Sequence, residues 1–185
     1  RLATQKGVRD PMTDGRERIA LVVGALIALA LQVMLAPVLA IGPAQPNFIA
    51  VYCLAAAVAL PQSAGPVLPF VMGMVYDLVG GGAVGSLAFL LVLVTVVASR
   101  TMGALNNDTL FMPLAILVAS LLLTQVLYGA LTLALGTGGS LVDALVYRAL
   151  PCALYDAVVG LVVYPLAARF LVGQPLQHPG SSQLR

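Results

Sequence analysis

The chain has 185 residues, of which 61% are hydrophobic and only 9% are charged, and its formal net charge is +2. A water-soluble globular domain carries about 25% charged residues, so this composition excludes a sizeable water-soluble domain. The apolar residues form runs long enough to cross a bilayer, which predicts an all-α integral membrane protein.

Six apolar segments follow one another along the chain and predict a bundle of six transmembrane helices. The predicted spans are 19–41, 47–60, 64–79, 83–102, 111–135 and 144–172. The second and third are shorter than the roughly 20 residues that a straight span needs, so they form either two short spans or one re-entrant hairpin. Pro66 and Pro69 suit the first turn of a helix, which favours two spans. Asn47 is a plausible cap for the second helix.

The basic residues predict how the bundle is oriented. The N-terminal segment 1–18 is mostly basic, and Arg100 and Arg169 fall on the same side of the membrane if there are six spans. The positive-inside rule then places both termini in the cytoplasm. We therefore divide the chain into a cytoplasmic tail 1–18, a transmembrane domain 19–172 and a second cytoplasmic tail 173–185.

Asp77 is a carboxylate within the third apolar segment, where an ionisable group is costly unless it faces protein or a partner group. Arg148 lies at a matching depth in the sixth span, and a buried carboxylate and guanidinium are tolerated together when they pair. We expect Asp77 and Arg148 to form an intramembrane pair. A glycine turn that permits a sharp reversal of the chain follows directly, at Gly80, Gly81, Gly82 and Gly85.

Asp156 lies near the midplane of the sixth span and has no basic residue at its level. Its predicted neighbours are Gln32 on the first span and Gln125 on the fifth, either of which can hydrogen-bond a carboxyl group. The sequence contains no Ser/His/Asp set, no P-loop and no histidine cluster. It therefore predicts no enzyme activity, no cofactor or metal site and no nucleic-acid partner.

Three motifs together are typical of a known family. They are Pro46-Asn47-Phe48 at the start of the second span, the G-x-x-x-D-x-x-x-G-G-x-x-G run from Gly73 to Gly85, and Tyr155-Asp156-Ala157 in the last span. The chain resembles the MreD family of rod shape-determining membrane proteins from the first span to Arg169. It departs from the family at Asp156, where members often carry Asn.

The resemblance implies a non-enzymatic adaptor in the bacterial inner membrane, within the complex that elongates the cell wall. Its implied partners are the membrane-anchored coiled-coil protein MreC and, in the larger complex, RodA, a penicillin-binding transpeptidase and MreB, together with membrane lipid. Small side chains on the short spans predict a face that a partner helix can approach closely. The residues of this face are Ala55, Ala56, Ala59 and Gly73.

A second interpretation is a vitamin-binding subunit of a transporter. The S components of energy-coupling-factor transporters are similar in size and number of helices, and Asp77 and Arg148 would then be ligand groups. Such subunits usually carry aromatic and polar residues in their outer loops. The corresponding loops here are rich in glycine, alanine and serine, and the chain has no tryptophan, which favours the adaptor.

Overall fold

A computed structural model describes residues 11–42, 44–63, 65–80, 84–105, 111–136 and 142–171. These residues form six α-helices and no named β-strand, as the composition predicts. The helices are α1 (Pro11–Met34), α2 (Phe48–Ala59), α3 (Val67–Gly80), α4 (Ser86–Ala104), α5 (Phe111–Ala134) and α6 (Leu150–Leu171). A π-helical segment, Asp143–Ala149, leads directly into α6. The predicted tail 173–185 and the first ten residues lie outside the described part of the chain.

Four of these helices have the length and apolar composition to cross a membrane. The spanning stretches are Gly15–Met34, Ser86–Ala104, Phe111–Ala134 and Val146–Leu171. The other two helices, α2 and α3, are apolar but shorter. The predicted bundle with two short helices is therefore confirmed for the described residues.

The helix boundaries differ from the prediction where proline acts on the backbone. The first helix begins at Pro11, inside the predicted tail, and ends at Met34, ahead of Pro37. The π-helical segment precedes Pro151, which has no N–H to donate to the carbonyl of Tyr147 and clashes with it, so the turn before the proline widens. In contrast, α6 continues through Pro165.

The centre of the bundle is α2. This helix packs against each of the other five helices, and every residue from Phe48 to Val58 is buried. A helix that is apolar on all sides is typical of a bundle core. The long helices α4, α5 and α6 surround α2, whereas α1 and α3 pack on the outside. α1 packs against α2 and α6, and α3 packs against α4 and α2.

This central position corrects the predicted partner face. Ala55 is fully buried and Ala56 is 1% exposed inside the chain itself, and Ala59 packs at the edge of the same core. A Cβ atom added to Gly73 would lie 2.5 Å from the Cα atom of Ala88, so this glycine allows α3 to approach α4. The small residues serve packing within the chain, because a short helix needs its longer neighbours to shield it from lipid.

Candidate functional site

The carboxylate of Asp77 binds the N-terminus of α4. Asp77 lies in the last turn of α3 and is 1% exposed. Its Oδ2 atom accepts hydrogen bonds from the backbone N–H groups of Leu87 at 2.9 Å and Ala88 at 3.3 Å. These are among the first N–H groups of α4, which have no acceptor within their own helix. Asp77 therefore caps a helix that begins nine residues after it in the chain.

The turn between α3 and α4 makes this capping contact possible. Gly85 precedes the first residue of α4 and has φ 89°, in the left-handed region that favours glycine. As a glycine, it supplies no side-chain cap to α4, so the Asp77 carboxylate takes the place of one. Gly80 is the last residue of α3, and the predicted turn residues Gly81 and Gly82 lie outside the described part of the chain.

The structure corrects the expected contact between Asp77 and Arg148. The Arg148 side chain, in the π-helical segment, is exposed, whereas the Asp77 carboxylate is buried against α4, and its Oδ1 atom has no hydrogen-bond partner. Backbone N–H groups, which need no costly burial of a cation, bind one oxygen of the Asp77 carboxylate in place of Arg148.

Asp156 is the second buried carboxylate, and it joins three parts of the bundle. It lies on α6 and is fully buried. Its Oδ1 atom accepts a hydrogen bond from the backbone N–H of Asn47 at 2.6 Å, and its Oδ2 atom accepts one from the Gln125 side chain at 2.5 Å. The carboxylate therefore connects α6 to the beginning of α2 and to the middle of α5.

The contact with Asn47 completes the cap of α2. The Asn47 side chain accepts a hydrogen bond from the N–H of Ala50 at 2.9 Å, as predicted for a cap. In an ordinary capping box, an acidic side chain three residues into the helix accepts the N–H of the cap residue. Position 50 is alanine here, and Asp156 supplies that acceptor from another helix.

The two glutamines that were expected near Asp156 have different contacts. Gln125 binds the carboxylate directly, whereas the Gln32 side-chain amide donates to the carbonyl of Pro46 at 3.4 Å. Gln32 therefore approaches the residue before Asn47 and does not reach Asp156. Its Oε1 atom is buried without a hydrogen-bond partner.

The sequence analysis missed the backbone partners of both aspartates. For Asp77 a local signal exists, because a glycine turn and a helix without a side-chain cap follow it within about a dozen residues. For Asp156 no local signal exists, because Asn47 is 109 positions away. Both carboxylates serve as helix caps, and no group of three His, Cys, Asp or Glu side chains suited to a metal ion occurs in the described part of the chain.

Apolar helices fixed by internal carboxylate caps define a multi-pass helical membrane protein. A comparison with protein-family models matches residues 16–172 to the family described as rod shape-determining protein MreD. The chain belongs to the MreD family and has a role in determining rod shape, in the inner membrane. Comparisons with curated proteins and with solved structures returned no match, so the similarity to transporter S components stays a prediction.

Proposed function

We propose that this protein is a non-enzymatic adaptor of the cell-wall elongation complex that binds MreC within the membrane. The observation that carries the proposal is the use of its two buried carboxylates. Both are bound to helix N-termini of the chain itself, which is the arrangement expected of a rigid scaffold. Through MreC the adaptor would support the wall-synthesising RodA, its penicillin-binding transpeptidase and cytoskeletal MreB.

The outer flank of α3 is the surface that we propose for the transmembrane helix of MreC. With 14 residues, α3 is roughly 21 Å long at 1.5 Å per residue, which is shorter than the roughly 30 Å hydrocarbon core. Among the described helices it packs mainly on α4 and α2. The large apolar side chains exposed on this flank are Val67, Phe70, Val71, Leu78 and Val79.

A short helix on the outside of a bundle favours association with a neighbour. Such a helix forces the bilayer to thin around it, and a longer helix packed alongside relieves that mismatch. α2, with 12 residues, is shorter still, but its neighbours within the chain already enclose it. The mismatch is therefore largest at α3, which is why we place MreC there.

Co-purification of tagged protein with MreC tests this placement. Val71→Trp puts a bulky side chain on the α3 flank, and Val158→Trp on α6 is the matched control, because both valines are exposed. We expect Val71→Trp to reduce the MreC retained about fivefold or more, whereas Val158→Trp retains it fully. Loss of MreC only in Val158→Trp would move the docking surface to α6, and full retention by both variants would contradict α3 docking.

The proposed orientation has both termini in the cytoplasm. The Ser63 hydroxyl, between α2 and α3, donates to the Glu17 carboxylate near the start of α1 at 2.8 Å. This contact supports a cytoplasmic α2–α3 connection, because the connection then lies at the same end of the bundle as the start of α1. Reporter fusions at each terminus test the orientation, and an external signal from either one would contradict it.

A further inference from the structure

A groove of about 230 Å³ runs along the outside of the bundle between α1, α2 and α6. Ala28, Tyr52 and Ala167 are buried in its floor, whereas Phe170 at its edge is exposed. The Tyr52 hydroxyl donates to the carbonyl of Leu21 at 2.8 Å, so its polar atom is already bonded. The groove therefore offers an apolar surface that opens toward the lipid.

The length of the groove matches one leaflet of a bilayer. Its lining on α1 extends from Ala20 to Leu31, which corresponds to roughly 17 Å at 1.5 Å per residue. One leaflet contributes about 15 Å to the roughly 30 Å hydrocarbon core. On α6 the lining extends from Val163 to Leu171, roughly 12 Å, so this wall contacts most of the length of an extended acyl chain in one leaflet.

Helix register places two arginines beyond one end of the groove lining. Arg16 precedes Ala20 by four residues and therefore lies on the same face of α1, and Arg169 follows Leu166 by three residues and lies on the same face of α6. Both arginine side chains are exposed. Glu17, the acidic residue next to Arg16, accepts the hydrogen bond from the Ser63 hydroxyl described above, so one oxygen of its carboxylate is already bonded.

We propose that the groove binds an anionic phospholipid. One acyl chain occupies the groove, and the headgroup phosphate lies between the guanidinium groups of Arg16 and Arg169. The end with the arginines is the cytoplasmic end in the proposed orientation, and anionic lipids of that leaflet attract basic residues near the membrane surface. This site is separate from the α3 flank and does not depend on MreC binding.

Native mass spectrometry of the full chain in detergent tests the headgroup contact. The probes are dioleoyl phosphatidylglycerol and dioleoyl phosphatidylcholine, which differ in the charge of the headgroup and share their acyl chains. We expect preferential retention of phosphatidylglycerol, and a loss of about fivefold in its affinity for each of Arg16→Gln and Arg169→Gln. Arg100→Gln, at the exposed end of α4, is the matched control and should leave retention unchanged. Equal retention of the two lipids, or equal losses in all three variants, would overturn the proposal.

Filling the groove tests the acyl-chain contact. Ala20→Phe should lower the retention of both lipids at least fivefold, whereas Ala115→Phe on the exposed face of α5 should not. If Ala20→Phe releases MreC and leaves phosphatidylglycerol bound, the groove is a site for a protein helix and the proposal is wrong. The arginine variants lie outside the core, so the test does not depend on whether Ala20→Phe folds.

Discussion

The two buried aspartates perform the same task over very different distances along the chain. Asp77 caps α4 across a turn, through the N–H groups of Leu87 and Ala88, which follow it by ten and eleven residues. Asp156 completes the cap of α2 from a helix more than a hundred residues away, and also binds α5. The comparison teaches that one chemical device, a carboxylate at a helix N-terminus, can hold either a local hairpin of helices or the whole bundle.

Removal of Asp156 should have the largest effect. Asp156→Ala leaves the N–H of Asn47 and the amide of Gln125 without an acceptor, which we expect to lower the free energy of unfolding by about 4 kcal/mol. Asp156→Asn keeps an oxygen for Asn47 and should lose much less. Cys53 and Cys152 are buried and not disulfide-bonded, so thermal unfolding in detergent can be followed with a thiol-reactive dye. Equal losses for the two variants would contradict the capping role.

Removal of Asp77 should have a smaller effect, because its contacts join only α3 and α4. Asp77→Ala should cost about 2 kcal/mol, the upper range for loss of a helix cap, and Asp77→Asn should recover part of it. Hydrogen exchange at Leu87 and Ala88 should increase more than exchange in α2. An increase confined to α2 would show that the local and long-range caps have been assigned to the wrong helices.

The hairpin of α3 and α4 also depends on their close approach at Gly73. Gly73→Ala places a Cβ atom against the backbone of Ala88 and should cost about 1.5 kcal/mol in thermal unfolding. Gly160→Ala is the matched control, because its nearest neighbour would be the end of the flexible Leu121 side chain at 3.0 Å. A larger loss for Gly160→Ala would contradict the assignment of the tighter contact to α3 and α4.

The smallest effects should come from the two glutamines that were expected near Asp156. Gln125→Leu removes a donor from the carboxylate and should cost about 1 kcal/mol. Gln32→Leu should be neutral or stabilising, because one polar atom of Gln32 is buried without a partner and its hydrogen bond to Pro46 is long at 3.4 Å. The same unfolding assay measures both, and the opposite order would place the carboxylate nearer to Gln32.

The sequence by itself determined the class of fold and the approximate positions where helices begin and end. Long apolar runs require helices in a bilayer, since backbone polar groups must be satisfied within the segment. Glycine and proline then separate the helices. Asn47 marks the start of α2, because its side chain binds the N–H of Ala50, only three residues further along the chain. The turn at Gly85 could also be predicted from the sequence, because the glycines that indicate it lie within one short stretch of the chain.

Only the tertiary structure decided which helix is central and what the buried polar groups bind. From the sequence, the small residues Ala55, Ala56 and Gly73 predicted a partner face, because composition does not distinguish packing within a chain from packing between chains. The expected pairing of Asp77 with Arg148 matched charge and depth, but the N–H groups of α4 are closer. The contact from Asp156 to Asn47 could not be read at all, because it depends on how α6 is positioned against α2, and no local pattern encodes the packing of two distant helices.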